Sequence, residues 1–72
     1  MSTEVRAPMV GKIIEVVVKS GGRVNAEDDL VVIESMKMEI PVAAPVTGVV
    51  REVHVVAGDT VQENDLLVTL DA

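Results

Sequence analysis

The sequence of 72 residues contains no cysteine, no phenylalanine, no tyrosine and no tryptophan, and only one histidine. Without cysteine there can be no disulfide, thiolate metal ligand or thiol nucleophile, and one histidine excludes a multi-histidine metal cluster. Basic residues are scarce: six Lys and Arg against twelve Asp and Glu give a net charge of −6, which opposes binding to nucleic acid or to anionic membranes. The longest apolar runs, such as residues 16–18 and 30–33, are too short for a membrane span or a signal-peptide core. We therefore expect a cytoplasmic protein with no metal site.

The residues that are present indicate an all-β chain. Valine occurs 17 times, and hydrophobic residues make up 49% of the sequence. Because the branched valine side chain is stiff and packs well on a pleated sheet, this composition favours strands over helices. A chain of this length forms one small unit that buries only about 60% of its unfolded surface. We expect residues 1–72 to be a single domain.

An internal repeat organises the chain. A shift of 37 places residues 7–35 over residues 44–72, and eleven of the 29 aligned positions are identical. The identical pairs are Ala7/Ala44, Pro8/Pro45, Gly11/Gly48, Glu15/Glu52, Val16/Val53, Val18/Val55, Gly21/Gly58, Val24/Val61, Asp28/Asp65, Leu30/Leu67 and Val31/Val68. Two copies are too few for a solenoid, so the repeat predicts a closed pair of sheets related by a pseudo-twofold axis.

The turn signals within each copy predict eight strands. They are expected near residues 3–7, 11–18, 23–24, 30–35, 39–44, 48–55, 60–61 and 67–71. Shared apolar positions in the second strand of each copy, 13, 16 and 18 and then 50, 53 and 55, do not alternate strictly. A β-bulge near Ile14 and Glu15, and another near Arg51 and Glu52, would bring each set to the inner face as core positions.

The junction between the two copies falls at Lys37, which lies one full repeat length from the chain ends. The twofold axis therefore pairs this junction with the termini. We expect a hairpin over residues 35–39, with Lys37 at its tip and both termini at the opposite pole.

The stretch Glu34-Ser35-Met36-Lys37-Met38-Glu39 resembles the attachment motif of biotin carboxyl carrier domains, usually Glu-Ala-Met-Lys-Met. The resemblance covers residues 4–71 and includes the Ala-Pro-Met segment before Gly11 and the Thr-Gly pair at Gly48. It implies a flattened eight-stranded barrel of two four-stranded antiparallel sheets. It also implies that a biotin protein ligase attaches biotin to Lys37. The partners would be that ligase, a biotin carboxylase and a carboxyltransferase, with the isolated domain a monomer.

The residues beside Lys37 form the expected recognition flank. Met36 and Met38 could be core gap-fillers, but next to a turn lysine we expect them to be exposed, because flexible, polarizable side chains suit a surface that docks on several proteins. Glu34, Ser35 and Glu39 complete the flank. Carrying a tethered group needs no catalytic residue, because the tether itself raises the local concentration.

Two departures from the family pattern bear on the turns. Ser35 replaces the usual alanine, a change we expect to be harmless. A glycine is common at positions 27 and 64, where this chain has Glu27 and Asn64. Because asparagine tolerates a left-handed backbone better than glutamate does, we expect the turn at residues 26–29 to adopt another type.

Two alternatives share the fold. A lipoyl carrier usually has Asp-Lys-Ala where this chain has Met36-Lys37-Met38, so the methionines favour biotin. If the chain were instead a non-carrier, lipoyl-like interaction module, the position of Lys37 at the tip between two methionines would be coincidental. An independent enzyme is the least supported class, because one histidine and scattered carboxylates do not assemble a nucleophile, a base and an orienting group. The carrier would serve a biotin-dependent carboxylase, transcarboxylase or decarboxylase whose acceptor substrate the sequence does not name.

Overall fold

The computed structural model describes residues 2–72 and consists of eight strands joined by turns. The strands are β1 Ser2–Arg6, β2 Gly11–Val16, β3 Arg23–Val24, β4 Asp29–Ser35, β5 Met38–Ala43, β6 Gly48–Val53, β7 Thr60–Val61 and β8 Leu66–Asp71. These segments match the eight expected from the sequence to within one residue at each end, except that β2 and β6 each end two residues earlier than predicted. No helix in the described residues is long and apolar enough to cross a membrane.

The strands form two four-stranded antiparallel sheets with the same internal order. Sheet 1 has the order β1-β8-β6-β3, and sheet 2 has the order β5-β4-β2-β7. A shift of 37 residues converts one order into the other, strand by strand, so the sheets are the two products of the sequence repeat. The all-β, two-sheet architecture with pseudo-twofold symmetry is therefore confirmed.

The core lies between the two sheets and is aliphatic throughout. Its fully buried side chains come in twofold-related pairs, which are Ile13/Val50, Leu30/Leu67, Val31/Val68 and Ile33/Leu70. Where the chain passes from one sheet to the other, Ala7 and Ala44 are 2% exposed, and only a small side chain suits such a crossing. Val16 and Val53 are equivalent in burial, as the repeat predicts, but both are half-buried at the edge of the core rather than inside it.

Both predicted β-bulges are present. The pairing of β2 with β4 shifts between Ile13 and Glu15, and the pairing of β6 with β8 shifts between Val50 and Glu52. The extra residue in each strand lets the apolar side chains on either side of it point into the core despite their uneven spacing. This explains why strict alternation fails in these strands.

The expectation of a different turn at residues 26–29 is wrong. Glu27 has a φ of 74°, and so does Asn64 at the equivalent position. The Glu27 amide donates to the Ala44 carbonyl at 2.7 Å, just as the Asn64 amide donates to the Ala7 carbonyl at 2.9 Å. This tertiary hydrogen bond holds glutamate in a backbone conformation that its side chain disfavours.

Gly11 and Gly48 are required for space rather than for backbone freedom. A Cβ atom on Gly11 would contact the Ile33 side chain and lie 2.7 Å from the Glu34 carbonyl oxygen. A Cβ atom on Gly48 would contact the Asp71 carbonyl oxygen in the equivalent place. Because these neighbours include rigid backbone, the start of β2 packs closely against the end of β4, directly below the hairpin turn.

The β4–β5 hairpin occupies one end of the molecule. In residues 2–72, these are the only two consecutive strands that pair with each other, since every other connection passes between sheets. At the start of β1, Ser2 pairs with Asp71 near the C-terminus. The chain then follows β1 away from the termini and enters β2, where Lys12 pairs with Glu34 near the hairpin turn. This path places the turn and the chain ends at opposite ends of a body 33 Å long and 17 Å wide.

Candidate functional site

A two-residue turn caps the β4–β5 hairpin. Ser35 pairs with Met38, which leaves Met36 and Lys37 as the two turn residues, with φ angles of 53° and 66°. Positive φ at both central positions is the signature of a type I′ turn, the geometry that matches the twist of a two-residue hairpin. Such turns are normally built from glycine, which has no Cβ, and asparagine, which tolerates the left-handed region, whereas most other side chains are strained there. Methionine and lysine therefore occupy this turn at a cost in stability.

The turn presents its side chains to solvent. Met36 is 92% exposed and Met38 is 64% exposed, and Lys37 between them is exposed as well. Among the described residues, the Lys37 amine takes part in no ion pair or side-chain hydrogen bond. The arrangement offers one primary amine at the apex of a rigid hairpin, flanked by two apolar side chains.

Two carboxylates lie below the turn on the outer face of sheet 2. Glu34 on β4 pairs directly with Glu39 on β5, and Lys12 on β2 is the next residue across the sheet from Glu34. Like charges in directly opposed positions destabilise a sheet. No ion pair within 4.0 Å neutralises either glutamate in the part of the chain that the structure describes. The hairpin therefore carries an acidic pair between its tip and its base.

No competing site is found in residues 2–72. They contain no group of three or more histidine and carboxylate side chains that could hold a metal ion, and no pocket. His54 accepts or donates a hydrogen bond with the Thr69 hydroxyl at 2.9 Å and lies 3.8 Å from the Glu52 carboxylate. These three groups form an exposed polar row on the outside of sheet 1, with no cavity beside them to hold a substrate.

The structure brings together the residues singled out in the sequence. Met36 and Met38 are exposed, as expected from their position beside a turn lysine, rather than buried in the core. Sequence reasoning missed the direct opposition of Glu34 and Glu39 and the approach of Gly11 to Glu34. The opposition could have been found by counting outward from a two-residue turn, whereas the glycine contact depends on packing between strands.

A comparison with protein-family models gives one match, to the family described as "Biotin-requiring enzyme", over residues 3–70. The chain belongs to this family. The match covers both repeats and the hairpin between them, so the whole fold, and not only the lysine motif, carries the relationship.

Curated relatives in the biotin-requiring family are small mycobacterial proteins. The chain is 52% identical over 42 residues to the "Biotinylated protein TB7.3 homolog" of Mycolicibacterium smegmatis and 50% identical over 42 residues to "Biotinylated protein TB7.3" of Mycobacterium tuberculosis. These alignments cover 58% of this chain and 59% of each relative. The similarity thus spans somewhat more than half the length of the curated relatives.

Solved structures place the same fold inside much larger proteins. The urea carboxylase of Kluyveromyces lactis superposes on 99% of this chain with a TM-score of 0.93 and 28% sequence identity. A single-chain, multi-domain long-chain acyl-CoA carboxylase superposes on 94% with a TM-score of 0.90 and 34% identity. The matched region is only 6% and 7% of those two chains, respectively. The two-sheet fold of this chain is therefore that of a small part of each carboxylase.

Proposed function

We propose that this chain is a biotin carboxyl carrier in which Lys37 bears the covalently attached biotin. The observation that carries the proposal is the type I′ turn, where an exposed lysine occupies a left-handed position that glycine or asparagine would fill at lower cost. Strain of this kind clusters at functional sites, and unlike Glu27, whose amide is held by a hydrogen bond to Ala44, Lys37 lies at an exposed tip. Membership of the biotin-requiring family and relatives named as biotinylated proteins support the same conclusion.

The residues present fit the chemistry of attachment. Biotin is joined through its carboxyl group, and Lys37 supplies an accessible primary amine that no neighbouring side chain engages. The deprotonated amine attacks the activated carboxyl carbon of biotinyl adenylate. An amide bond forms at Nζ, the bond from the carbonyl carbon to the AMP oxygen breaks, and the nitrogen gives up its surplus proton. Because the tip has no base beside Lys37, the ligase must remove the first proton from the ammonium group.

The fold explains how a carrier of this kind works without catalytic residues. A stiff hairpin holds the attachment point at one end of an elongated body, away from the termini at the other end. Attached biotin supplies a site for an activated carboxyl group, which the carrier delivers from a biotin carboxylase to a carboxyltransferase. Tethering raises the local concentration of the group at each partner, so the carrier contributes position rather than chemistry. We propose that residues 1–72 act as this single carrier unit in the cytoplasm.

The methionine flank favours biotin over lipoate. Met36 and Met38 expose apolar surface on both sides of Lys37, where a lipoyl carrier usually has aspartate and alanine. An apolar, flexible flank suits repeated docking on ligase, carboxylase and transferase. Glu34, Ser35 and Glu39 complete the recognition flank at the base of the turn.

The test is the intact mass of the chain after incubation with biotin protein ligase, ATP and biotin. The mass should rise by one biotin less one water, and peptide mapping should assign the change to Lys37. Lys37→Arg should abolish labelling, while Lys12→Arg and Lys19→Arg should label like the unaltered chain. Labelling that survives Lys37→Arg would refute the assignment.

A further inference from the structure

The pseudo-twofold axis provides an internal control for the outer surfaces of the two sheets. Equivalent positions have similar backbone environments, so the fold itself does not require a consistent difference in polarity between them. Around the centre of β4, the outward residues of sheet 2 form what we call the β4 face. Its members are Glu15, Val32, Pro41 and Ala43, together with Val17, which follows the end of β2.

The β4 face is apolar except at Glu15, whereas its counterpart on sheet 1 is polar at every position. The counterparts, 37 residues away, are His54, Glu52, Thr69, Glu4 and Arg6. Those side chains contact one another, because His54 hydrogen-bonds Thr69 at 2.9 Å and lies 3.8 Å from Glu52, and Arg6 pairs with Glu4 at 2.7 Å. On the β4 face, Val17 is 49% exposed, and Pro41 and Ala43 are exposed as well. One sheet therefore has a polar exterior whose side chains contact one another, and the other has a largely apolar exterior that no other part of residues 2–72 covers.

The β4 face is continuous with the attachment hairpin. Val32 and Pro41 pair with each other on the same two strands that carry the turn. Pro41 follows Lys37 by four residues, which is about 13 Å along an extended strand. Between the turn and the β4 face lie Glu34 and Glu39, the uncompensated acidic pair. A protein that engages this side of the hairpin would meet the lysine, then two carboxylates, then an apolar surface.

The length of the unmodified lysine side chain indicates which partner protein contacts the β4 face. During ligation the Nζ atom itself must come within about 3 to 3.5 Å of the activated carboxyl carbon, so the ligase approaches to within one lysine side chain of the turn. A specific interface buries about 800 Å² on each partner, close to a fifth of the 4474 Å² surface of this domain. The turn alone is too small to supply that area. The carboxylase and transferase act through the longer biotinyl-lysine arm, so their active sites do not have to come as close to the barrel.

We propose that the β4 face is the surface on which the biotin protein ligase seats while it acylates Lys37. This inference rests on the proposed carrier function. The ligase surface that fits it is largely apolar, with basic side chains facing Glu15, Glu34 and Glu39. The acidic pair, which destabilises the isolated hairpin, is neutralised in that complex.

The experiment compares ligation rates of matched variants on the two sheets. Val17→Thr with Val32→Thr makes the β4 face polar with little change in shape, and threonine is a good strand residue. The control, His54→Val with Thr69→Val, changes the equivalent positions of sheet 1 in the opposite sense. Each intact 72-residue chain is incubated with purified biotin protein ligase, ATP and biotin. Initial rates are measured over a range of chain concentrations, and thermal unfolding checks that each variant is folded.

The β4-face variant should raise KM for the chain about tenfold with little change in kcat, which is the effect expected from weakening two apolar interface contacts. The control should stay within about twofold of the unaltered chain. Pro41→Glu, which installs the residue found at the equivalent position 4, should raise KM further. Unchanged KM in the folded β4-face variants overturns the inference while leaving the carrier function intact. A dimer of the unaltered chain that these variants dissociate also overturns it, because the face would then serve a second copy. Failure of the unaltered chain to be labelled refutes the carrier function itself.

Discussion

Replacement of Lys37 by glycine should stabilise the domain while destroying its attachment site. Lys37 has a φ of 66°, in the left-handed region where a side chain with Cβ costs about 1 to 2 kcal/mol. Glycine removes that strain but adds about 0.5 to 1 kcal/mol of unfolded-chain entropy. The side chain itself is exposed and forms no ion pair or side-chain hydrogen bond with the described residues that would be lost. The free energy of unfolding should therefore rise by about 0.5 to 1 kcal/mol.

The assay is thermal unfolding of the unmodified domain. For a domain of this size, a change of 1 kcal/mol shifts the Tm by about 4 to 8 °C, so Lys37→Gly should raise the Tm by about 2 to 8 °C. Lys37→Gln is the matched control, because it removes the charge and keeps the Cβ, and its Tm should match that of the unaltered chain. Lys19→Gly tests glycine at another exposed lysine whose φ is not positive, and it should lower the Tm.

A Tm for Lys37→Gly equal to or below that of Lys37→Gln would refute the reasoning. It would mean that the left-handed turn costs lysine nothing, and the strain argument for function at this position would be lost. The gain in stability should come with complete loss of biotin labelling, because the amine is gone. Stability and function would then oppose each other at one residue.

The remaining predictions concern the turn flank, the paired turns and the strand packing. The double variant Met36→Asp with Met38→Ala should lose most biotin labelling at limiting ligase, because two apolar contacts with the ligase are lost and a charge must be desolvated. Its Tm should be nearly unchanged. Unchanged labelling rates would show that barrel shape and turn position determine recognition. Glu27 and Asn64 both have a φ of 74°, a conformation that asparagine tolerates better than glutamate does. In denaturant unfolding, Glu27→Gly should therefore stabilise the domain more than Asn64→Gly. Equal gains in the free energy of unfolding would contradict this account. Gly11→Ala should cost about 1 to 3 kcal/mol through overpacking against the end of β4, and a neutral result would show that β2 can move away.

Much of the fold was decided by local sequence and by its repetition. The 37-residue repeat predicted two equivalent sheets, both bulges and the hairpin at Lys37, and all of these are present. The exposure of Met36 and Met38 was expected from their place beside a lysine at the hairpin tip. These features were predictable because strand periodicity, turn chemistry and self-similarity are properties of neighbouring residues, or of one segment compared with another.

Tertiary structure decided the features that depend on which segments meet. The sign of φ at Glu27 cannot be deduced from its own preference, because the conformation is imposed by a hydrogen bond to Ala44, 17 residues away. The need for glycine at position 11 arises from contact with Glu34 across the sheet. The sequence contains the residues of the β4 face, but they come from separate segments of the chain, and only strand pairing places them together on the side of sheet 2 that carries the attachment hairpin. Register and contact between distant segments are thus the information that the folded chain adds to its sequence.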